Sequence, residues 1–239
     1  VLIAVNKKGY HNLIKIVSKA WLEGFYYKPR ADKDLLFEYN EGLIALSGCL
    51  QGEISQLILN SQSEKAKKVL NNYISIFGKE NFYLELQDHN LREEKKANSE
   101  LITLSNQTET PMVVTNDVHY LNQEDDDLHD ILLALQTGKT IDDEDRMSFQ
   151  VNQFYLKSQE EMKSLFPEID NAYKNTLKIA DRCEIDLDFS SFYLPDYPDL
   201  EKSQNPSELL RKKSQQGLKE RNLAQDQKAK ERLEYELEI

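Results

Sequence analysis

An α/β fold built on a parallel sheet is predicted by three features of the sequence. Four short apolar runs, at residues 1–5, 43–47, 82–86 and 112–115, are rich in branched or aromatic side chains and end on polar or glycine positions, as buried strands do. Amphipathic helical patterns lie between them. The alternation of strand and helix supplies the crossovers that parallel strands require, in a sheet either open or closed into a barrel.

The first helical pattern, at 12–22, places Leu13, Ile16, Val17 and Ala20 on one face, and His11 just before it reads as a start signal. Residues 63–77 repeat the spacing with Ala66, Val69, Leu70 and Tyr73. A further helix is expected to begin near Leu91, with His89 as its cap. In residues 125–135 the stripe of Leu128, Ile131, Leu132 and Leu135 predicts a core-facing side, His129 a flank position bonded to backbone, and the acidic run 124–127 a solvated first turn. After Gly138 the alternation stops. Phe154-Tyr155-Leu156 is a short strand candidate, Ser158-Gln159-Glu160-Glu161 is a capping box, and residues 171–183 form a helix with Tyr173, Leu177 and Ala180 on one side. Pro206-Ser207-Glu208 opens a final, highly charged helical region.

With 239 residues and 39% hydrophobic content, the chain is long enough for one full core plus part of a second domain. Its net charge of −12 argues against gripping nucleic acid through an overall positive field. The first 200 residues hold 21 basic and 34 acidic side chains, whereas the remainder hold nine and eight. That shift, with Pro195, Pro198 and Pro206 nearby, places a domain boundary at about 190–206. The apolar run at the start is too short for a signal or a membrane span, so a soluble, cytoplasmic protein is expected. Two cysteines give no disulfide framework. The chain opens on Val1 inside an apolar run and closes inside a helical pattern, which reads as a piece of a longer protein.

Three of the strands run directly into side chains with chemistry. The second leads through Gly48 to Cys49, the third to Asp88-His89, and the fourth through Asn116 to Asp117-Val118-His119. In parallel α/β folds the carboxyl ends of the strands share one face, and ligands bind there. On extended backbone, residues i and i+2 point the same way, which would bring Asp117 and His119 to one metal. Carboxylate with imidazole suits zinc, manganese or iron, and a thiolate at Cys49 biases one position toward zinc. The plainer alternatives are a hydrogen-bonded Asp-x-His loop and a small buried cysteine.

Read as continuous text, several stretches resemble the PHP (polymerase and histidinol phosphatase) region of the bacterial DNA polymerase III alpha family. They include Gly24-Phe25-Tyr26-Tyr27-Lys28-Pro29-Arg30, Leu46-Ser47-Gly48-Cys49-Leu50, Leu84-Glu85-Leu86-Gln87-Asp88-His89 and Thr115-Asn116-Asp117-Val118-His119-Tyr120-Leu121. His129-Asp130-Ile131-Leu132 through Gln136-Thr137-Gly138 follows in the same order. The resemblance spans roughly residues 1–190 and is looser beyond.

That resemblance implies a partial, distorted β/α barrel of PHP type, lacking its N-terminal part, over 1–190. A mainly helical junction over 191–239 would then be the linker and the start of the polymerase palm. It implies a divalent metal, zinc or manganese, held by Cys49, Asp117 and His119, with 3′–5′ exonuclease activity in some family members. It further implies that the parent is a DNA-directed DNA polymerase using magnesium at a palm site after Ile239, while a His-x-His motif lies before Val1. DNA, deoxynucleotides, the sliding clamp, the clamp loader and a proofreading subunit are the implied partners. The 239-residue chain alone is expected to be inactive. Two alternatives stand beside this reading: a non-catalytic, metal-stabilised structural module, and a stand-alone PHP phosphoesterase.

Overall fold

The computed structural model describes residues 1–149, 151–192, 194–195, 197 and 205–239. It divides into two compact units, Val1–Asp186 and Leu187–Ile239. Pro198, one of the prolines of the expected boundary, lies outside the described residues.

The first unit is built on strands β1 (Leu2–Ala4), β2 (Leu43–Leu46), β3 (Phe82–Leu86) and β4 (Met112–Val114), ordered β1-β2-β3-β4. β2, β3 and β4 run parallel, whereas β1 pairs antiparallel with β2, Leu2 opposite Ala45 and Ala4 opposite Leu43. The α/β class is as expected, but the expected parallel sheet is corrected at β1, which runs antiparallel to its neighbour. Among the described residues the sheet ends at β1 and β4 and does not close, so the barrel is not seen in it. Every residue of β2 and β3 is buried, because helices cover both faces of the parallel part.

Alternation along the strands sorts the two cores. On one face Leu43, Ala45, Phe82, Leu84, Leu86 and Val114 pack with Ile16, Ile54, Ile58, Leu70, Phe77 and Leu101. These come from α1 (Lys7–Leu22), α3 (Glu53–Leu59), α4 (Ser63–Phe77) and α5 (Arg92–Thr108); α2 (Lys33–Glu38) adds Leu35 and Leu36 at the margin. On the other face Ile44, Leu46, Tyr83 and Val113 meet Ile179 of α8 (Asp170–Asp181). Each fully buried leucine or phenylalanine contributes about 2 kcal/mol, so the sheet is the most strongly held part of the unit.

Several local expectations are corrected. α1 begins at Lys7, five residues before the expected start, because the Asn6 side chain accepts from Gly9 N and caps it. His11 is thus inside the helix. α8 buries Ala172, Asn175 and Ile179 rather than the Tyr173, Leu177 and Ala180 side, since Asn175 Nδ2 donates to the Met112 carbonyl at 2.7 Å and fixes the helix against β4. In α6 (Asp126–Gln136) only Ala134 is buried, while Leu128, Ile131, Leu132 and Leu135 are exposed. Periodicity identified an apolar stripe, but nothing in that pattern specifies a partner to cover it. The strand candidate at 154–156 is a single parallel bridge between Tyr155 and Tyr120. The Ser158 capping box is present at the start of α7 (Gln159–Leu165), with Ser158 N donating to Glu161 and Glu161 N to Ser158 Oγ.

The second unit holds α9 (Pro206–Glu220), with Asn205 as cap and proline in its first turn, and α10 (Gln227–Glu238). Arg211 pairs with Glu234 between them. Neither helix has a buried residue. No helix among the described residues is long and apolar enough to cross a membrane.

Candidate functional site

The carboxyl ends of β2, β3 and β4 are joined by one buried carboxylate. Glu85 sits inside an otherwise apolar strand, and its Oε2 accepts from Gly48 N at 3.1 Å while Oε1 accepts from Thr115 Oγ1 at 2.5 Å. Its own N–H donates to Ser47 Oγ at 2.8 Å. A buried carboxylate is costly unless hydrogen-bonded, and here those bonds tie three neighbouring strand ends together.

A second buried carboxylate, Glu94 of α5, is paired with His89, three residues past the end of β3. The His89 ring is almost fully enclosed, with Nδ1 2.6 Å from Glu94 Oε1 and Nε2 2.6 Å from the Asn116 carbonyl. Glu94 Oε2 also accepts His89 N–H at 2.6 Å. Burial works against the charged imidazole, but the bonds to Glu94 and Asn116 and the Glu94 charge outweigh it, so the pKa of His89 is raised. His89 was expected to cap α5. The roles are reversed: Glu94, in the first turn of α5, reaches back to the His89 backbone.

Asn116 is where the chain turns toward the predicted ligands. Its side chain donates to the Tyr155 carbonyl at 2.9 Å and accepts from Lys157 Nζ at 3.2 Å. Asp117 then takes φ +54°, a left-handed conformation that aspartate tolerates better than most residues. The expected extended alternation is therefore corrected. Asp117 and His119 come together through a turn, which His119 N–H closes onto the Phe154 carbonyl at 2.8 Å.

Within that turn His119 Nδ1 lies 3.0 Å from the Asp117 carbonyl and 4.0 Å from its Oδ1. A carbonyl can only accept, so the proton sits on Nδ1 and leaves the Nε2 lone pair available. The His119 ring meets Phe149, Phe154 and His129 edge-on, at centroid distances of 4.9, 5.4 and 5.5 Å. His129 is thus placed by ring contacts. Burial and the neighbouring His119 lower its pKa. Arg146 holds this side of the site by a two-pronged pair with Asp130 at 2.5 and 2.7 Å, beside a depression of about 190 Å³ lined by Tyr120, His129 and Phe149 among others.

The fit to a metal is partial. An Nδ1-protonated imidazole bonded to a carbonyl, with a carboxylate at its side, is the donor arrangement metal-binding histidines use. Cys49 is exposed beyond β2, and the described residues contain no group of three or more His, Cys, Asp or Glu side chains able to hold a metal ion. Asp117 and His119 are brought together; Cys49 is not joined to them in such a group. Sequence reasoning missed Glu85 and Glu94. A single acid inside the apolar run Phe82–Leu86 was the available signal for the first.

The PHP domain family matches residues 1–89 of this α/β unit, whose parallel strands lead into Ser-Gly-Cys and Asp-x-His. Asp117 and His119 lie beyond the matched residues. The chain is 40% identical over its whole length to the DNA polymerase III subunit alpha of Treponema pallidum, covering 20% of that protein. It is 43% identical to the Thermus aquaticus subunit over 82% of this chain and 17% of the relative, and 36% identical to that of Helicobacter pylori over all of this chain and 22% of the relative. The chain belongs to the DNA polymerase III alpha family and spans about a fifth of the length of these curated relatives.

Proposed function

We propose that this chain is the PHP portion of a replicative DNA polymerase, with residues 1–190 forming a metal-binding PHP domain and residues 191–239 opening the polymerase region. The four strands are then an arc of a distorted β/α barrel. The whole protein carries out DNA-directed DNA synthesis in chromosome replication, in the cytoplasm, with DNA and deoxynucleotides as substrates and magnesium at a palm site outside this chain. The sliding clamp, the clamp loader and a proofreading subunit are its partners. Asp117, His119 and Cys49 serve as ligands for zinc or manganese, completed by donors from elsewhere in the protein, and the PHP domain acts as a metal-dependent 3′–5′ nuclease. The observation that carries the metal reading is the Asp117–His119 turn, which leaves an imidazole Nε2 open beside a carboxylate at the end of a parallel strand.

Substitution in the full-length subunit tests it. Asp117→Asn and His119→Ala should each release metal and lower the melting temperature, because a ligand bound only by the native state stabilises it. Primer extension should persist while 3′–5′ nuclease activity is lost. Full metal occupancy in both variants would reject the assignment. Lost metal and stability with no nuclease activity to lose would favour the structural-module reading.

A further inference from the structure

We propose that His89 and Glu94 are a positioning pair that sets the direction of the Asp117–His119 turn, an inference that rests on the metal reading of that turn. The His89 ring reaches the turn directly at its start and through Phe154 at its end. Nε2 fixes the Asn116 carbonyl, one residue before Asp117, at 2.6 Å. The ring face stacks on Phe154, with centroids 4.1 Å apart and planes 11° apart, and Phe154 meets the His119 ring nearly at right angles, with centroids 5.4 Å apart. Phe154 also supplies the carbonyl that receives His119 N–H. One rigid imidazole therefore defines where the turn begins and what the His119 ring leans on.

Glu94 removes the remaining freedom of that imidazole. One carboxylate oxygen holds Nδ1 and the other holds the His89 backbone, so the ring cannot rotate without breaking a buried bond. The carboxylate stands in the first turn of α5, where the helix dipole favours an anion. Packing alone does not require such a pair, since apolar residues of similar volume replace buried ion pairs at little cost or with a gain in stability. Its consequence is orientation. Partners that orient metal ligands from behind typically change metal affinity about 10- to 100-fold when removed.

The test uses the full-length subunit, stripped of metal and titrated with cobalt(II), whose visible absorption reports both affinity and coordination geometry. His89→Phe keeps the ring stack but removes both nitrogens, and Glu94→Gln removes the charge while keeping the shape. Each should weaken cobalt binding about 10- to 100-fold and alter the spectrum, while the metal-free protein still unfolds cooperatively. Unchanged affinity and spectrum in both, with Asp117→Asn and His119→Ala losing cobalt, would overturn the positioning role and leave the metal reading standing. Wild-type cobalt binding by Asp117→Asn and His119→Ala would overturn both. If neither His89→Phe nor Glu94→Gln folds, the pair is a requirement of folding and the proposal is rejected.

Discussion

Among single side chains, His89 has the most measurable consequence. Its pKa is raised in the folded state, chiefly because the bonds to Glu94 and to Asn116 outweigh burial. The native protein therefore holds this proton more tightly than the unfolded chain does. The resulting stability is fully present below the unfolded pKa of about 6.5 and is lost as pH rises through the higher folded value. Urea denaturation should show a lower midpoint at about pH 9 than at about pH 6, and His89→Phe should remove that part of the difference. An identical pH dependence in the variant would mean that His89 is already neutral in the native state. The left-handed Asp117 next in the network makes a second, opposite kind of prediction. Asp117→Gly relieves the φ +54° backbone and should cost little in metal-free stability, yet it removes the carboxylate and should weaken metal binding. Metal titration beside a metal-free melt separates the two effects.

How elements start and which way they face depends on contacts that a linear pattern reports unevenly. The helix α4 and the strand β3 have the bounds that their periodicity predicted, because their apolar residues face the core they were assigned to. α1 started earlier than predicted because Gly9 argues against helix in a propensity reading and the apolar stripe begins only at Leu13. In the folded unit Gly9 is required by proximity: a Cβ there would lie 1.9 Å from the Gly42 carbonyl oxygen. Gly9→Ala should consequently destabilise by about 1–3 kcal/mol or more, as overpacking does, despite the better helix propensity of alanine. A chemical denaturation midpoint equal to wild type would show that the 39–43 turn yields easily. The strand-end residues Cys49, His89, Asp117 and His119 were legible from their positions after apolar runs. What joins His89 to the Asp117–His119 turn was not, because Glu94 is an ordinary first-turn acid in sequence and Asn116 an ordinary loop residue. The tertiary contact that makes a network of them is the bond from His89 Nε2 to the Asn116 carbonyl, which needs the ends of β3 and β4 side by side. The exposed stripe of α6 shows the same limit, since amphipathicity fixes a face without supplying its partner.

Across the chain as a whole, charge and site placement lead to a prediction about DNA. The net charge of −12 leaves no general field for the phosphate backbone, and the balanced charge after residue 200 does not reverse it. The candidate chemistry of the first unit is an Asp–His turn and buried acids, not the carboxylate-held metals at a primer terminus that nucleotidyl transfer requires. Since the relatives are about five times longer than this chain, the polymerase reading assigns primer binding to sequence outside it. The purified 239-residue chain should then neither retain a primed template in a low-salt mobility assay nor incorporate nucleotide with magnesium present. Low salt makes this a severe test, because electrostatic binding to DNA is strongest there and falls steeply as salt rises. Retention that disappears with added salt would reveal a local basic surface overriding the net charge. Incorporation above a no-protein control, with contaminating polymerase excluded by a mock purification from cells that do not express the chain, would place catalytic carboxylates within this chain and overturn the assignment of synthesis to the rest of the protein.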